Sequence, residues 1–155
     1  MINRLVTRDI HRYAAHPLHP RSLFARLGLA ICLAASGYIH AELYVHGYRV
    51  IPGIGPSFLL QASGSFAVAL LLLVTGSPVL RLGAAGLAAG ALAGFVLSRT
   101  VGVLGFVEHG LQPAPQALIS VLVEVAALVL LAAPPAARLF SARWSSARWS
   151  SERSR

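Results

Sequence analysis

Four apolar stretches, each about twenty residues long and set apart by Gly, Pro and Arg, limit what this chain can fold into more than any motif does. They cover residues 22–44 (SLFARLGLAICLAASGYIHAELY), 55–75 (GPSFLLQASGSFAVALLLLVT), 78–98 (PVLRLGAAGLAAGALAGFVLS) and 115–133 (PQALISVLVEVAALVLLAA). Segments of this length and apolarity belong in hydrocarbon, where every backbone N–H and C=O has to find a partner inside the protein. A helix achieves that within one segment. The sequence therefore predicts an all-α four-helix transmembrane bundle over residues 22–135, preceded by an Arg/His-rich segment at 1–21 and followed by an Arg/Ser/Trp-rich tail at 136–155. Pro56 and Pro78 suit first helical turns, where the missing N–H has no helical acceptor, and Pro134 with Pro135 stops the fourth helix.

Composition agrees with the bilayer as solvent. Only 12% of the residues are charged, half the share of about 25% found in soluble domains. The net charge of +8 comes from arginines that flank the apolar runs, so positive-inside topology accounts for it and no nucleic-acid partner is expected. Arg4, Arg8, Arg12, Arg21, Arg26, Arg81, Arg138, Arg143, Arg148, Arg153 and Arg155 fall on one side of a four-span chain, and Arg49 and Arg99 on the other. Eleven against two places both termini in the cytoplasm of a cell-membrane protein, with the loops near residues 45–54 and 99–114 facing outward. The polar lead before the first run is long for a cleaved signal, so the first span is expected to remain. Trp144 and Trp149 of the tail suit the headgroup region. Cys32, the single cysteine, excludes an intrachain disulfide and reads as a small packing residue.

Polar side chains gather in the outer half of the spans. Counted at 1.5 Å per residue, Gln61 and Glu124 lie roughly 10–14 Å inside the outer boundary, His40 and Tyr44 are near the end of the first span, and Arg99 closes the third. His40, Tyr44, Gln61, Arg99 and Glu124 are the candidate ligand-binding residues. Glu124 constrains most, because an ionisable group in a span costs several kcal/mol unless it is paired, protonated or wetted. It is expected either to lock onto Arg99 or His40 as scaffold or to serve as a proton or ligand site. Glu42 and His46 at i, i+4, with His109 in the next loop, are the only grouping with metal-donor character, and neither H-E-x-x-H nor paired cysteines accompany it. No phosphate loop, nucleophile elbow or Ser/His/Asp pattern is present, so the sequence implies no reaction and requires no cofactor.

The third span places Gly86, Gly90 and Gly94 on one helical stripe. Such a stripe lets a neighbouring backbone come close, either inside one chain, with ASGS at 62–65 as the matching surface, or between two chains or with a membrane partner.

The stretches GYIHAELYVHGYRVIPGIGPSFLLQA, GFVLSRTVGVLGFVEHG and LVEVAALVLLA resemble a group of small four-span integral membrane proteins of actinobacteria. The likeness covers about residues 25–133. It implies that His40, Gly55, Pro56, Phe58, Gln61, Ser98, Arg99, Thr100 and Glu124 act as a unit, and it carries no activity with it. The expectation is a multi-pass membrane protein with an outward-facing polar site for a small ligand or a partner. A quinone-linked redox subunit and a purely structural accessory protein are the alternatives.

Overall fold

The computed structural model describes residues 20–133; the expectations for residues 1–19 and for the tail lie outside the described residues. Helix α1 spans Pro20–Val45, α2 spans Ile54–Val74, α3 spans Pro78–Thr100 and α4 spans Gln116–Ala133. All four are long and apolar enough to cross a membrane, and the described residues contain no strand. The expected spans thus match the helices to within two residues at each end.

The helices run up and down, and three pairs of contacts fix the register of α1 against α4. A Cβ on Gly28 would meet Leu130, Ser36 bonds Glu124, and Gln116 donates to Glu42. On its other flank α1 meets α2 where Gly37 lies against the Ala62 carbonyl and the Phe66 ring. The half of the bundle around the α2–α3 turn is solid. Its core is Leu29, Ala30, Leu33, Ala69, Leu72, Ala84, Ala88 and Ala127, with Cys32 packed against it as expected. Five of these eight are alanines, small enough for helix backbones to approach where lipid offers no hydrophobic drive to associate.

Two arginines close this end. Arg26 Nε and Nη2 donate to the Leu72 carbonyl at 3.2 and 2.9 Å, and Nη2 also donates to the Leu73 carbonyl. These carbonyls end α2 and have no helical N–H to accept from, so the guanidinium satisfies them and opposes the helix dipole. Arg81 does the same more weakly for α4, at 3.4 Å from the Leu131 carbonyl.

At the opposite end the α1–α2 connection folds back on itself. After Val45 the chain makes a 3-10 turn over Tyr48–Val50 and re-enters a helix at Ile54. Gly53 sits at φ 77°, under the Leu104 side chain, and Gly55 presses against the turn. A Cβ on Gly55 would stand 2.7 Å from the Arg49 carbonyl oxygen and 2.9 Å from that of Tyr48, so only glycine fits. Substituting Gly55→Ala is expected to push the turn away and cost about 1–2 kcal/mol. Thermal unfolding of the detergent-solubilised protein checks this: an unchanged midpoint would show the turn to be free to move.

Candidate ligand site

The loop end of the bundle is hollow. A cavity of ≈ 380 Å³ lies there, bounded by the loop-end halves of α2 and α3, by His40 and Leu43 of α1, by Ala117 and Ser120 of α4, and by the α3–α4 loop above. Its volume falls in the range of about 300–1,000 Å³ typical of small-molecule sites. Three of the five candidate ligand residues, His40, Gln61 and Arg99, line it; Tyr44 and Glu124 do not.

One wall is aromatic. Phe58 stacks on Tyr48 with ring centres 4.7 Å apart and planes 11° off parallel, His40 tilts against Phe58 at 5.2 Å, and Phe106 meets Tyr48 edge-on at 5.9 Å. Tyr48 reaches this wall because its turn doubles back over the start of α2. Its hydroxyl donates to Glu108 Oε2 at 2.7 Å. Burial, followed by that bond and the Glu108 charge, pushes the phenol well above its ordinary range, so Tyr48 stays a neutral donor.

The polar groups are held in defined orientations. His40 Nδ1 is 2.9 Å from the Ser36 carbonyl oxygen, which can only accept, so Nδ1 carries the proton. Gln61 Nε2 donates to the Leu87 carbonyl at 3.2 Å and bridges α2 to α3 at the cavity floor. At the roof Arg99 donates to the carbonyls of Gly110, at 2.7 Å, and Gln112, to Phe95 O and to Ser98 Oγ. Its guanidinium also lies 3.7 Å over the Phe95 ring. Arg99 thus pins the long α3–α4 loop over the cavity, and no carboxylate lies within 4 Å of it among the described residues.

The expected ion pair of Glu124 with Arg99 or His40 is therefore not formed. Glu124 is 1% exposed, and its Oε1 accepts the Ser36 hydroxyl at 2.5 Å while Oε2 has no hydrogen-bond partner among the described residues. Residue 36 is on the α1 face that the register turns toward α4; a serine in an alanine-rich run gave no sign of this in sequence. His40 joins the network at one remove, through the Ser36 carbonyl.

Of the metal grouping only Glu42 and His46 meet. His46 Nδ1 lies 2.8 Å from the Glu42 carbonyl and 3.7 Å from Glu42 Oε1, and Glu42 Oε2 accepts from Gln116 at 3.4 Å. Among the described residues no three His, Cys, Asp or Glu side chains come together as a metal set, and His109 joins neither residue.

Nor does the glycine stripe pack against the described residues. A Cβ on Gly86, Gly90 or Gly94 would meet nothing within 4 Å among them; of the proposed matching surface, Ala62 faces α1, and Gly64 meets α3 at the Leu87 side chain rather than at the glycines. Gly90 and Gly94 line the cavity, and their missing side chains are part of its space. Leu60, 71% exposed, and Gly90, also exposed, are both on the cavity wall, so on the α2–α3 side residues of the helix surface border the cavity directly. Counted from the helix ends, these two residues are roughly 9–15 Å deep.

No protein family, curated protein or solved structure matches this chain.

Proposed function

We propose that this is a multi-pass protein of the cell membrane that binds a small amphipathic ligand in the cavity at the loop end of its bundle. The observation that carries the reading is the cavity itself. It is apolar, with His40, Gln61 and Arg99 as its fixed polar points, and we read its wall of exposed Leu60 and Gly90 as a side opening between α2 and α3 at hydrocarbon depth. A ligand arriving through that opening comes from the bilayer, so it has an apolar tail and a head group small enough for ≈ 380 Å³. The arginine asymmetry puts both termini in the cytoplasm and the cavity end outside. The likeness to the small four-span proteins of actinobacteria fits the same reading, since His40, Phe58, Gln61, Ser98 and Arg99 of the shared motifs all border one space.

A quinone-linked role is the second reading, favoured by the ring wall of His40, Phe58, Tyr48 and Phe106. Dimerisation through Gly86, Gly90 and Gly94 would cover the side opening, so it competes with entry from the bilayer.

The test is chemical. Protein purified from membranes in mild detergent is extracted with organic solvent and the extract analysed by mass spectrometry. One amphiphile is expected near one equivalent per chain; only bulk phospholipid in the extract would overturn the reading. A tag on either terminus is expected to be unreachable by impermeant reagent in intact cells, and labelling of either end there would reverse the orientation.

A further inference from the structure

The polar atoms that face the cavity are already half used, and what remains of each decides what a ligand must bring. His40 Nδ1–H is committed to the Ser36 carbonyl, and no carboxylate lies within 4 Å of the ring among the described residues to hold a second proton. The neutral ring then presents Nε2 as a bare acceptor on the cavity wall. Gln61 repeats the pattern. Its Nε2 gives one N–H to the Leu87 carbonyl, which leaves Oε1 as an acceptor and the second N–H as a donor, both without a partner in the described residues. Arg99 spreads its N–H groups over three carbonyls and the Ser98 hydroxyl, so little of its donor capacity points inward.

A carboxylate or phosphate head is therefore poorly served. It would face two acceptor lone pairs on the wall and the Glu108 side chain at the roof, with Arg99 largely engaged. A quinone brings only acceptors: it can take the second Gln61 N–H or the Ser120 hydroxyl, but it leaves His40 Nε2 unpaired. A head group that donates hydrogen bonds fits both His40 Nε2 and Gln61 Oε1, and an aromatic one also has a wall of four rings to lie against.

Resting on the ligand-binding reading above, we infer that the head group taken by this cavity is a hydroxyl-bearing aromatic ring, a phenol or hydroquinone, on an apolar tail that leaves between Leu60 and Gly90. The hydroxyl donates to His40 Nε2, the ring packs on the wall that Phe58 and Tyr48 form, and the missing side chains of Gly90 and Gly94 make room for the first part of the tail. The site discriminates by hydrogen-bond direction: a ligand without an O–H leaves the imidazole acceptor buried and unpaired.

Three probes of one shape separate the possibilities: decyl hydroquinone kept reduced under anaerobic conditions, the corresponding quinone, and the hydroquinone dimethyl ether. Each is titrated into the full-length protein in detergent by calorimetry. The hydroquinone is expected to bind at least about tenfold more tightly than the other two, the worth of one buried hydrogen bond. In His40→Phe, where a ring of similar size fills the place against Phe58 but accepts nothing, that ratio should fall to about one. Tyr38→Phe, on the exposed face of α1, should leave the ratio as it is. Equal affinity for all three probes overturns the head-group assignment and leaves the amphiphile site standing. Tighter binding of the quinone, or a ratio that survives His40→Phe, also overturns it. If none of the three binds, the assignment fails, and the co-purified amphiphile alone then judges the site.

Discussion

Ser36→Ala should destabilise this protein by about 1.5–3 kcal/mol, far more than loss of a hydroxyl from an apolar helix ordinarily costs. The hydroxyl is the one hydrogen-bond partner of Glu124, whose Oε2 is already unsatisfied and whose side chain is buried. Removing it strands a whole carboxyl group between α1 and α4. Glu124→Leu should cost less, because the serine left behind can bond back to a carbonyl of its own helix, and Ser36→Ala with Glu124→Leu should cost less than the sum of the two. Thermal unfolding of the four proteins in detergent gives the coupling, expected at about 1–2 kcal/mol, toward the upper end of membrane hydrogen bonds measured this way. Glu124 and Arg99 should by contrast add within about 0.5 kcal/mol, since Arg99 spends itself on loop carbonyls. Additivity for Ser36 and Glu124 would mean that the bond is absent in the membrane.

Gly94→Leu should abolish amphiphile binding, by more than about a hundredfold, while leaving the bundle folded. The position has open space where its Cβ would grow and it borders the cavity, so a leucine there has no helix to collide with and one volume to fill. The same change at Ala88, which is fully buried in the solid half, should instead unfold the protein by overpacking. The measurement is the amphiphile retained per chain after purification, beside the unfolding temperature of the same sample. Full occupancy in a folded Gly94→Leu protein would place the ligand elsewhere.

These contrasts mark what the sequence could show. The spans were legible because a membrane reduces secondary structure to length and apolarity, and Pro56 and Pro78 mark starts that need no tertiary context. Depth counting also brought His40, Gln61 and Arg99 into the same half of the spans, and the cavity unites them. Which way each residue points was not legible. Glu124 faces Ser36 because of the α1–α4 register, fixed by packing at Gly28 and Leu130 a full two turns away. The glycine stripe looked like a contact because lipid-facing and cavity-facing glycines share the pattern of interhelical ones. Tyr48 was hidden by its turn, whose return depends on Gly55 having no side chain.

The pairing of α1 with α4 joins two helices far apart in the sequence. Until the ribosome has delivered α4, Ser36 has no acid to bond and the face of α1 bearing Gly28 and Glu42 is bare, so the four helices close only after α4 is made. During that interval α4 enters the bilayer with an acid at residue 124, a burden of roughly 3 kcal/mol for a charged group at mid-span. The helix has the highest mean hydropathy of the four, 2.3, and its Leu, Ile and Val residues return roughly 0.3–0.6 kcal/mol each. Its apolarity is therefore an insertion signal as much as a packing surface. Polar changes along the lipid side of α4, at Leu122 or Val129, would be felt first at the translocon, as a helix that fails to enter, before any folded bundle existed to be weakened.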